Sequence, residues 1–530
     1  MRLCFRSIFW PACLAALGLL AQGKAAGQVM QEIHFQPISL FDTTLFQRPY
    51  GEGTYLASVL PVLINRPIDD ISPRAGAQAM AMGGAHLALA DGALAMAWNP
   101  AGMAGLRQTS VCVDGFSRGS SGKGSGLPDS LLIPGYGDFS ISTYSNRLGS
   151  VSGFGFFGAA RPLLDLGGAP LVGGVSYRRH TDVAYGQEML MEMRLLAATA
   201  GFPFKLGIEN EERGFIESLT FGLGYEAIHS PAFSLAVGST GNFLTGRLRS
   251  DNLARVDVRN FEEGQGKFQQ NYSGFSLEAG ALAQIQSLPG LERLRLAAWA
   301  GLPHRIKVDN GRLVDQPISS PDAQYVYRSY WDIADYDMEI PLFASVGMAL
   351  GPIRGVEIAA DYNLRPWSEV EIRHRVPAFS QFDCTYPAAD ANSFHVGARF
   401  EFPLLRQRLH AMGLRLNMMA GYRTLPLALY DTDLPSPDDE TPTVAPYYRG
   451  DPVEGDATSL GFSLETGQVS FHLGLEFQSY DYHTWFLNDQ SELGTRENPL
   501  RAPWFSDPYD RVIKISRDNT VLRFSSEMRL

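Results

Sequence analysis

Residues 469–477 read Val-Ser-Phe-His-Leu-Gly-Leu-Glu-Phe, and the alternation in them decides the fold. On an extended strand Val469, Phe471, Leu473, Leu475 and Phe477 share one face. Ser470, His472, Gly474 and Glu476 share the other. The same period of two recurs upstream. In 394–402, Phe394, Val396, Ala398, Phe400 and Phe402 oppose His395, Gly397, Arg399 and Glu401. In 219–227, Leu219, Phe221, Leu223, Tyr225 and Ala227 oppose Thr220, Gly222, Gly224 and Glu226. In 414–422, Leu414, Leu416, Met418, Ala420 and Tyr422 oppose Arg415, Asn417, Met419 and Gly421. A soluble antiparallel sandwich also alternates. Glycines and full charges recur on the polar face here, which suits the wall of a water-filled lumen.

The connections carry the stronger signal. Read back from the C-terminus, short ones (Thr466–Gln468, Pro403–Ala411, Gly351–Gly355, Ser287–Glu292) interleave with long ones near 483–517, 426–457, 367–390, 307–339 and 248–271. Short periplasmic turns alternating with long extracellular loops are the topology of bacterial outer-membrane barrels. The chain also ends as a strand, with Leu522, Phe524, Met528 and Leu530 alternating against Arg523, Ser525, Glu527 and Arg529. A terminal strand is what closes a cylinder and removes its open edge. Its last residue is Leu, where an aromatic is more usual. Counting every candidate from residue 110 onward gives about sixteen strands, those before 205 being the weakest.

Composition agrees. Charged residues make up 19% of the chain, beside 54 glycines and 31 phenylalanines. After the first thirty positions no stretch of about 18 uncharged apolar residues remains to form a helical span. A closed barrel is the other way to satisfy every backbone group in lipid. The N-terminus reads as an export signal over 1–27: Arg2 and Arg6, an apolar stretch from Ser7 to Ala21, then Gly23, Ala25, Ala26 and Gly27 at the cleavage site. Its removal takes Cys4 and Cys13 with it and leaves Cys112 and Cys384, too few and too distant for a disulfide scaffold or a metal site. The net charge of −12 argues against nucleic acid as a partner and fits an exported barrel with acidic loops.

Residues 72–106 are of another kind. They read Ser-Pro-Arg-Ala-Gly-Ala-Gln-Ala-Met-Ala-Met-Gly-Gly-Ala-His-Leu-Ala-Leu-Ala-Asp-Gly-Ala-Leu-Ala-Met-Ala-Trp-Asn-Pro-Ala-Gly-Met-Ala-Gly-Leu. Small residues and few charges fit a tight space such as a barrel interior, and Asn99-Pro100 ends any helix before it.

Arg74 with Met82-Gly83-Gly84-Ala85, then Ala90-Asp91, then Asn99-Pro100-Ala101-Gly102 resembles, in order and spacing, the start of the FadL/TodX family. These are outer-membrane channels for long-chain fatty acids and aromatic hydrocarbons. Pro341 to Trp367, with Asp361-Tyr362, is more weakly similar to a late strand pair of that family. The resemblance implies a transmembrane antiparallel all-β barrel of about fourteen strands (12–16 on our reading) plugged by an N-terminal hatch. It also implies passive passage of a hydrophobic ligand through internal sites and a lateral opening in the wall. It makes Gly83, Gly84, Asn99, Pro100 and Ala101 hatch residues. The domain reading is therefore signal 1–27, an uninterpreted extension 28–71, a hatch 72–106 and a barrel 107–530 in the outer membrane of a Gram-negative-type bacterium, monomeric among its lipids. An alternative is a barrel that works through protein partners, similar to the PorV-type components of type IX secretion, which share the Asn-Pro-Ala segment.

Enzymatic readings do not hold up. Gly115-Phe116-Ser117-Arg118-Gly119 matches a nucleophile elbow, but a Gly/Ser-rich run follows where a helix is needed, so it reads as a loop. Gly153-Phe154-Gly155-Phe156-Phe157-Gly158 matches the dinucleotide fingerprint, yet Arg161-Pro162 follows and a glycine-rich strand is the better reading. The ten histidines are scattered, so neither a metal nor a cofactor is expected. Asp431 to Asp456 holds eight carboxylates with no spaced ligand loop and reads as a solvated extracellular loop.

Overall fold

The structure, a computed structural model, describes residues 29–38, 75–125, 131–133, 137–146, 151–195, 203–257, 262–288, 291–319, 325–385, 389–402, 409, 411–430, 452–485 and 512–530. The segments proposed as export signal and acidic loop lie outside or almost outside them.

Fourteen antiparallel strands close into a barrel. In chain order they are β1 Ser110–Ser125, β2 in two pieces Gly137–Asn146 and Val151–Leu166, β3 Ala169–Leu195 and β4 Pro203–His229. Then come β5 Phe233–Asp257, β6 Glu262–Leu288, and β7 in three pieces Leu291–Gly301, His304–Asn310 and Leu313–Ser319. The return strand β8 is likewise Tyr325–Ile333, Tyr336–Ile340 and Phe343–Ile353. The rest are β9 Val356–Leu364, β10 Ser393–Glu401, β11 Arg415–Tyr430, β12 Pro452–Glu465, β13 Val469–Trp485 and β14 Val512–Arg529. Each strand pairs with its sequence neighbour, and β14 pairs with β1 from Ser110↔Arg529 to Ser125↔Lys514, so the cylinder has no open edge.

The alternation places the faces as read. Leu473 is 45% exposed and His472 8%; Phe221, Phe394 and Phe524 also face outward, while Thr220, His395 and Arg523 face in. An outer wall that exposes this many large apolar residues is built for lipid, and Phe221, Phe243 and Phe275 form a contiguous row across β4, β5 and β6.

Three readings need correction. The count of about sixteen candidates falls to fourteen, within the 12–16 expected; three of the fourteen are built of more than one piece, and Pro303 lies in the break between the first two pieces of β7. The expected loops 248–271 and 307–339 are mostly strand: β5 and β6 pair through Val256↔Glu262, and β7 continues to Ser319. Gly115 to Gly119 lies inside β1, not in a loop, and Ser117 Oγ accepts a hydrogen bond from Ser152 Oγ of the neighbouring strand.

The wall is uneven. Strands β3, β4 and β6 have 27 residues each, and β9 and β10 have nine. At about 3.3 Å per residue the long ones reach roughly 90 Å, far beyond a hydrocarbon core of about 30 Å. The short turns Gly167–Gly168, Arg354–Gly355 and Thr466–Gln468 share the end where the chain terminates, which makes that end periplasmic. The tall strands therefore project outside the cell. On their flank Val29–Ile38, part of the extension, pairs in parallel with Tyr325–Ile333 of β8.

Candidate functional site

The site is the barrel's interior, and residues 75–106 fill its periplasmic half. Gly76 precedes a short helix, α1 Ala77–Ala81, which ends in the turn Met82-Gly83-Gly84. Gly83 and Gly84 have φ of 65° and 80°, a conformation that glycine adopts without strain. A second helix, α2 Ala95–Trp98, stops at Asn99, whose extended backbone hands over to a 3-10 turn over Pro100–Gly105. The Asn99 carboxamide caps that turn by accepting from Ala101 N at 3.2 Å. It also donates to Ala281 O of β6 at 3.0 Å and to Leu87 O at 3.4 Å. Asn99 thus ties the segment to itself and to the wall.

The wall meets this segment with glycines. A Cβ at Gly421 of β11 would lie 2.0 Å from Gly83 N, and one at Gly397 of β10 2.3 Å from Met82 O. Across the lumen a Cβ at Gly280 of β6 would lie 2.0 Å from Asn99 Oδ1, and one at Gly238 of β5 2.4 Å from the Pro100 carbonyl carbon. Gly397 and Gly421 are cross-strand partners, as are Gly238 and Gly280. The glycines on the polar faces are thus an inner belt against which the segment's backbone sits in direct contact.

Side chains of the same faces take up its free backbone groups. His86 N and Leu87 N both donate to Asp361 Oδ2 of β9, at 2.7 and 2.8 Å. Ala77 N donates to Ser525 Oγ, Gly83 N to Ser459 Oγ and Ala93 N to Ser110 Oγ, all near 3 Å. Ser110 Oγ donates onward to Glu527 at 2.8 Å, and Asp91 pairs with Arg529 at 3.1 Å. The sequence places Asp361, Ser525, Glu527 and Arg529 on strands, but none of these wall residues is marked there as a partner of the segment. A lone Ser or Asp on an inward face has no local signature of what it will meet hundreds of residues away.

Above the segment the lumen turns apolar. Ile216, Leu244, Tyr272, Ile306, Val308, Met338 and Ile340 point inward from β4 to β8. The connection after β9 folds over them: Trp367 packs edge-on against Phe343 at 5.2 Å, and Glu371–His374 pairs with Tyr336–Glu339 of β8. Arg365 anchors that connection, donating to Ala344 O and Leu364 O with its guanidinium over the Trp299 and Phe343 rings. Cys384 packs on the same cluster; burial, and next to it the Asp383 carboxylate, push its thiol up to about 11.

The ladder between β2 and β3 is interrupted just above the segment. The lower pieces pair up to Phe156↔Arg178 and the upper ones resume at Asn146↔Gln187. Among the described residues, Val151–Phe154 therefore pair with β1 alone, with a bulge at Gly155, and Arg179–Gly186 with β4 alone, where β3 carries a bulge at His180. Gly153 leaves room there for the Arg179 guanidinium and Gly155 for the Asp114 carboxylate, and Arg179 pairs with Asp182. Phe156, immediately below, packs with Trp98 and Met96 in one buried cluster.

No protein-family profile and no curated protein matches the sequence. Solved structures do. A Pseudomonas aeruginosa FadL homologue is 13% identical, with 86% of this chain and 98% of that one covered at a TM-score of 0.49. The Pseudomonas putida toluene transporter TodX is 14% identical, with 88% and 100% covered at 0.49. The CymD monoaromatic hydrocarbon channel is 12% identical, with 86% and 98% covered at 0.47.

Proposed function

We propose that this chain is an outer-membrane channel, without catalytic activity, through which hydrophobic small molecules pass passively, with residues 72–106 as its hatch. The observation that carries this reading is the interrupted β2–β3 ladder placed between an apolar upper lumen and a lumen-filling segment. A water-filled pore for polar solutes would need an open lumen with polar walls. Here the lower half is filled to backbone contact and the upper half is lined with Ile, Leu, Val, Met and Tyr. An apolar solute gains by leaving water for that lining, at about 25 cal/mol per Å² of apolar surface. The seam between β2 and β3 then offers it a way sideways that the hatch denies it downward. Long-chain fatty acids and aromatic hydrocarbons both meet these requirements. Among the described residues no feature favours the partner-dependent reading of a secretion component.

The test is flux. Purified protein in liposomes should accelerate entry of toluene or of a fluorescent long-chain fatty acid over protein-free liposomes, while leaving a hydrophilic dye of similar size excluded. Equal entry of the hydrophobic probe with and without protein would refute the channel reading. Free passage of the hydrophilic dye would refute the hatch.

A further inference from the structure

The seam between β2 and β3 is not empty. Above Phe156↔Arg178, where the backbone rungs stop, the side chain of Arg179 occupies the gap. Arg179 stands opposite Glu217 in the β3–β4 ladder, on the face that Leu219 and Phe221 carry to lipid. Its guanidinium nevertheless ends beside Gly153, whose partner on β1 is the inward-facing Phe116. A Cβ at Gly153 would lie 3.0 Å from Arg179 Nη1 and 4.0 Å from its Cζ. The side chain thus leaves β3 on one face of the wall and reaches β2 on the other. Hydrogen-bonded strands stand only about 4.8 Å apart, too close for a guanidinium to pass, so this path needs the interrupted ladder.

The contacts around it converge on Asp182, which is buried. Arg179 pairs with the Asp182 carboxylate across the bulge at His180, and its guanidinium lies 4.9 Å from the Phe215 ring centroid on β4. His180 Nε2 is 2.8 Å from Ser218 Oγ, which ties the bulge to β4. From the other side Arg118 of β1 donates to Asp182 O at 3.1 Å, reaching β3 at a level where β2 supplies no rung. One arginine comes from each flank of the gap, and both end on the same residue. The seam is therefore closed by side chains where its neighbours are closed by backbone. Side chains change rotamer far faster than paired strands separate, so such a closure can yield while the barrel stays intact.

We propose that Arg118 and Arg179, converging on Asp182, bar the β2–β3 seam and set the bulk of the solute that it admits. The proposal rests on the channel reading above and assigns the width of the lateral way to named side chains. A flat monocyclic solute needs less of the bar to turn aside than a branched one does, so the bar discriminates by bulk.

The test uses the full-length protein in liposomes, with protein-free liposomes subtracted, and measures entry of toluene, of tri-isopropylbenzene and of a hydrophilic dye. Arg179→Ala combined with Asp182→Asn removes one arm without leaving a buried charge unpaired. Entry of the branched hydrocarbon is expected to rise at least about fivefold and that of toluene less, while the untouched hatch still excludes the dye. An unchanged ratio of branched hydrocarbon to toluene would overturn the bar. Entry of the dye would overturn it too, by making the pair a support of the wall. A second measurement needs no transport. In a Cys112→Ser, Cys384→Ser background, Gly153→Cys places a thiol behind the bar. It fits there because the atom its Cβ would meet at 3.0 Å is the flexible end of Arg179. Its alkylation by a membrane-soluble pyrene maleimide should be about tenfold faster once Arg179→Ala and Asp182→Asn are added, in barrels that keep their heat-modifiable gel mobility. Toluene entry with unchanged labelling would remove the bar alone. No toluene entry through the wild-type protein would remove the channel reading, and the role of the bar with it, whatever the labelling.

Discussion

Asp361 is the residue whose loss should unseat the proposed hatch with the least damage to the barrel. Its Oδ2 accepts from two consecutive backbone amides, His86 N and Leu87 N, at 2.7 and 2.8 Å, and the side chain is 2% exposed. Hydrogen bonds to a charged acceptor contribute roughly 1.5–3 kcal/mol each. Losing both in Asp361→Ala therefore costs the seated state about 3 kcal/mol at the low end, which is about 150-fold in the ratio of seated to unseated hatch. Asp361→Asn keeps an uncharged acceptor and should show a clearly smaller change. Cys112 reports on the event, because it is buried in one cluster with Ala93, Leu94 and Trp98 of the hatch. In a Cys384→Ser background, alkylation of Cys112 by a hydrophilic maleimide should speed up about in proportion, provided the hatch reseats faster than it is labelled. Labelling within twofold of wild type in a barrel that remains heat-modifiable would refute the latch. So would Asn and Ala behaving alike.

Three further outcomes follow from the same geometry. Leu473→Arg, on the lipid face, should lower unfolding stability by roughly 2–4 kcal/mol, and His472→Arg, in the lumen, by much less; a lipid-chain quencher should reach a probe at 473 and not at 472. Gly421→Val, whose Cβ would lie 2.0 Å from Gly83 N, should displace the hatch and sensitise cells to a large hydrophilic antibiotic, with unchanged sensitivity counting against the contact. Because the Cys384 thiol is pushed up to about 11, its alkylation in the folded protein should be slow at pH 8 and rise steeply toward pH 11; fast reaction at pH 8 would mean that the apolar cluster is open to water.

Strands were legible where lipid imposes a difference between their faces. At 219–227, 394–402, 414–422 and 469–477 one side meets hydrocarbon and the other the lumen, so the side chains alternate. Above the bilayer that constraint lapses. The stretch from Lys205 to Arg213 of β4 reads Lys-Leu-Gly-Ile-Glu-Asn-Glu-Glu-Arg, with charges at odd and even positions alike, so no apolar face marks it as a strand. That is why the upper halves of β5 to β8 read as loops. The candidate site was legible in its hatch half, where Gly83-Gly84 and Asn99-Pro100 impose local conformations. Its wall half was not: Asp361, Ser459 and Ser525 acquire their roles only through the register that brings them to the hatch, 275 to 448 residues along the chain.

On the proposed reading, the inward faces also explain how one barrel can be plugged and still conduct. The outer face is apolar along the lipid-crossing stretch of each strand, since lipid is all it meets. The inner face changes with height along a single strand. On β4 it runs from Gly224 and Gly222, bare enough for the hatch backbone, through Thr220 and Ser218, to Ile216 in the apolar cluster. On β7 it runs from Arg293 and Arg295 at the mouth to Ala297 and Trp299 beside the hatch, and on to Ile306 and Val308 above it. Because a side chain alternates faces at every residue, each of these levels costs the outer surface nothing and can be changed without disturbing the lipid contact. From the upper lumen to the mouth the inner face is thus an order of chemistries, apolar, then backbone-tight, then cationic. On the proposed reading, a solute that suits the first level enters there and leaves through the seam without passing the second.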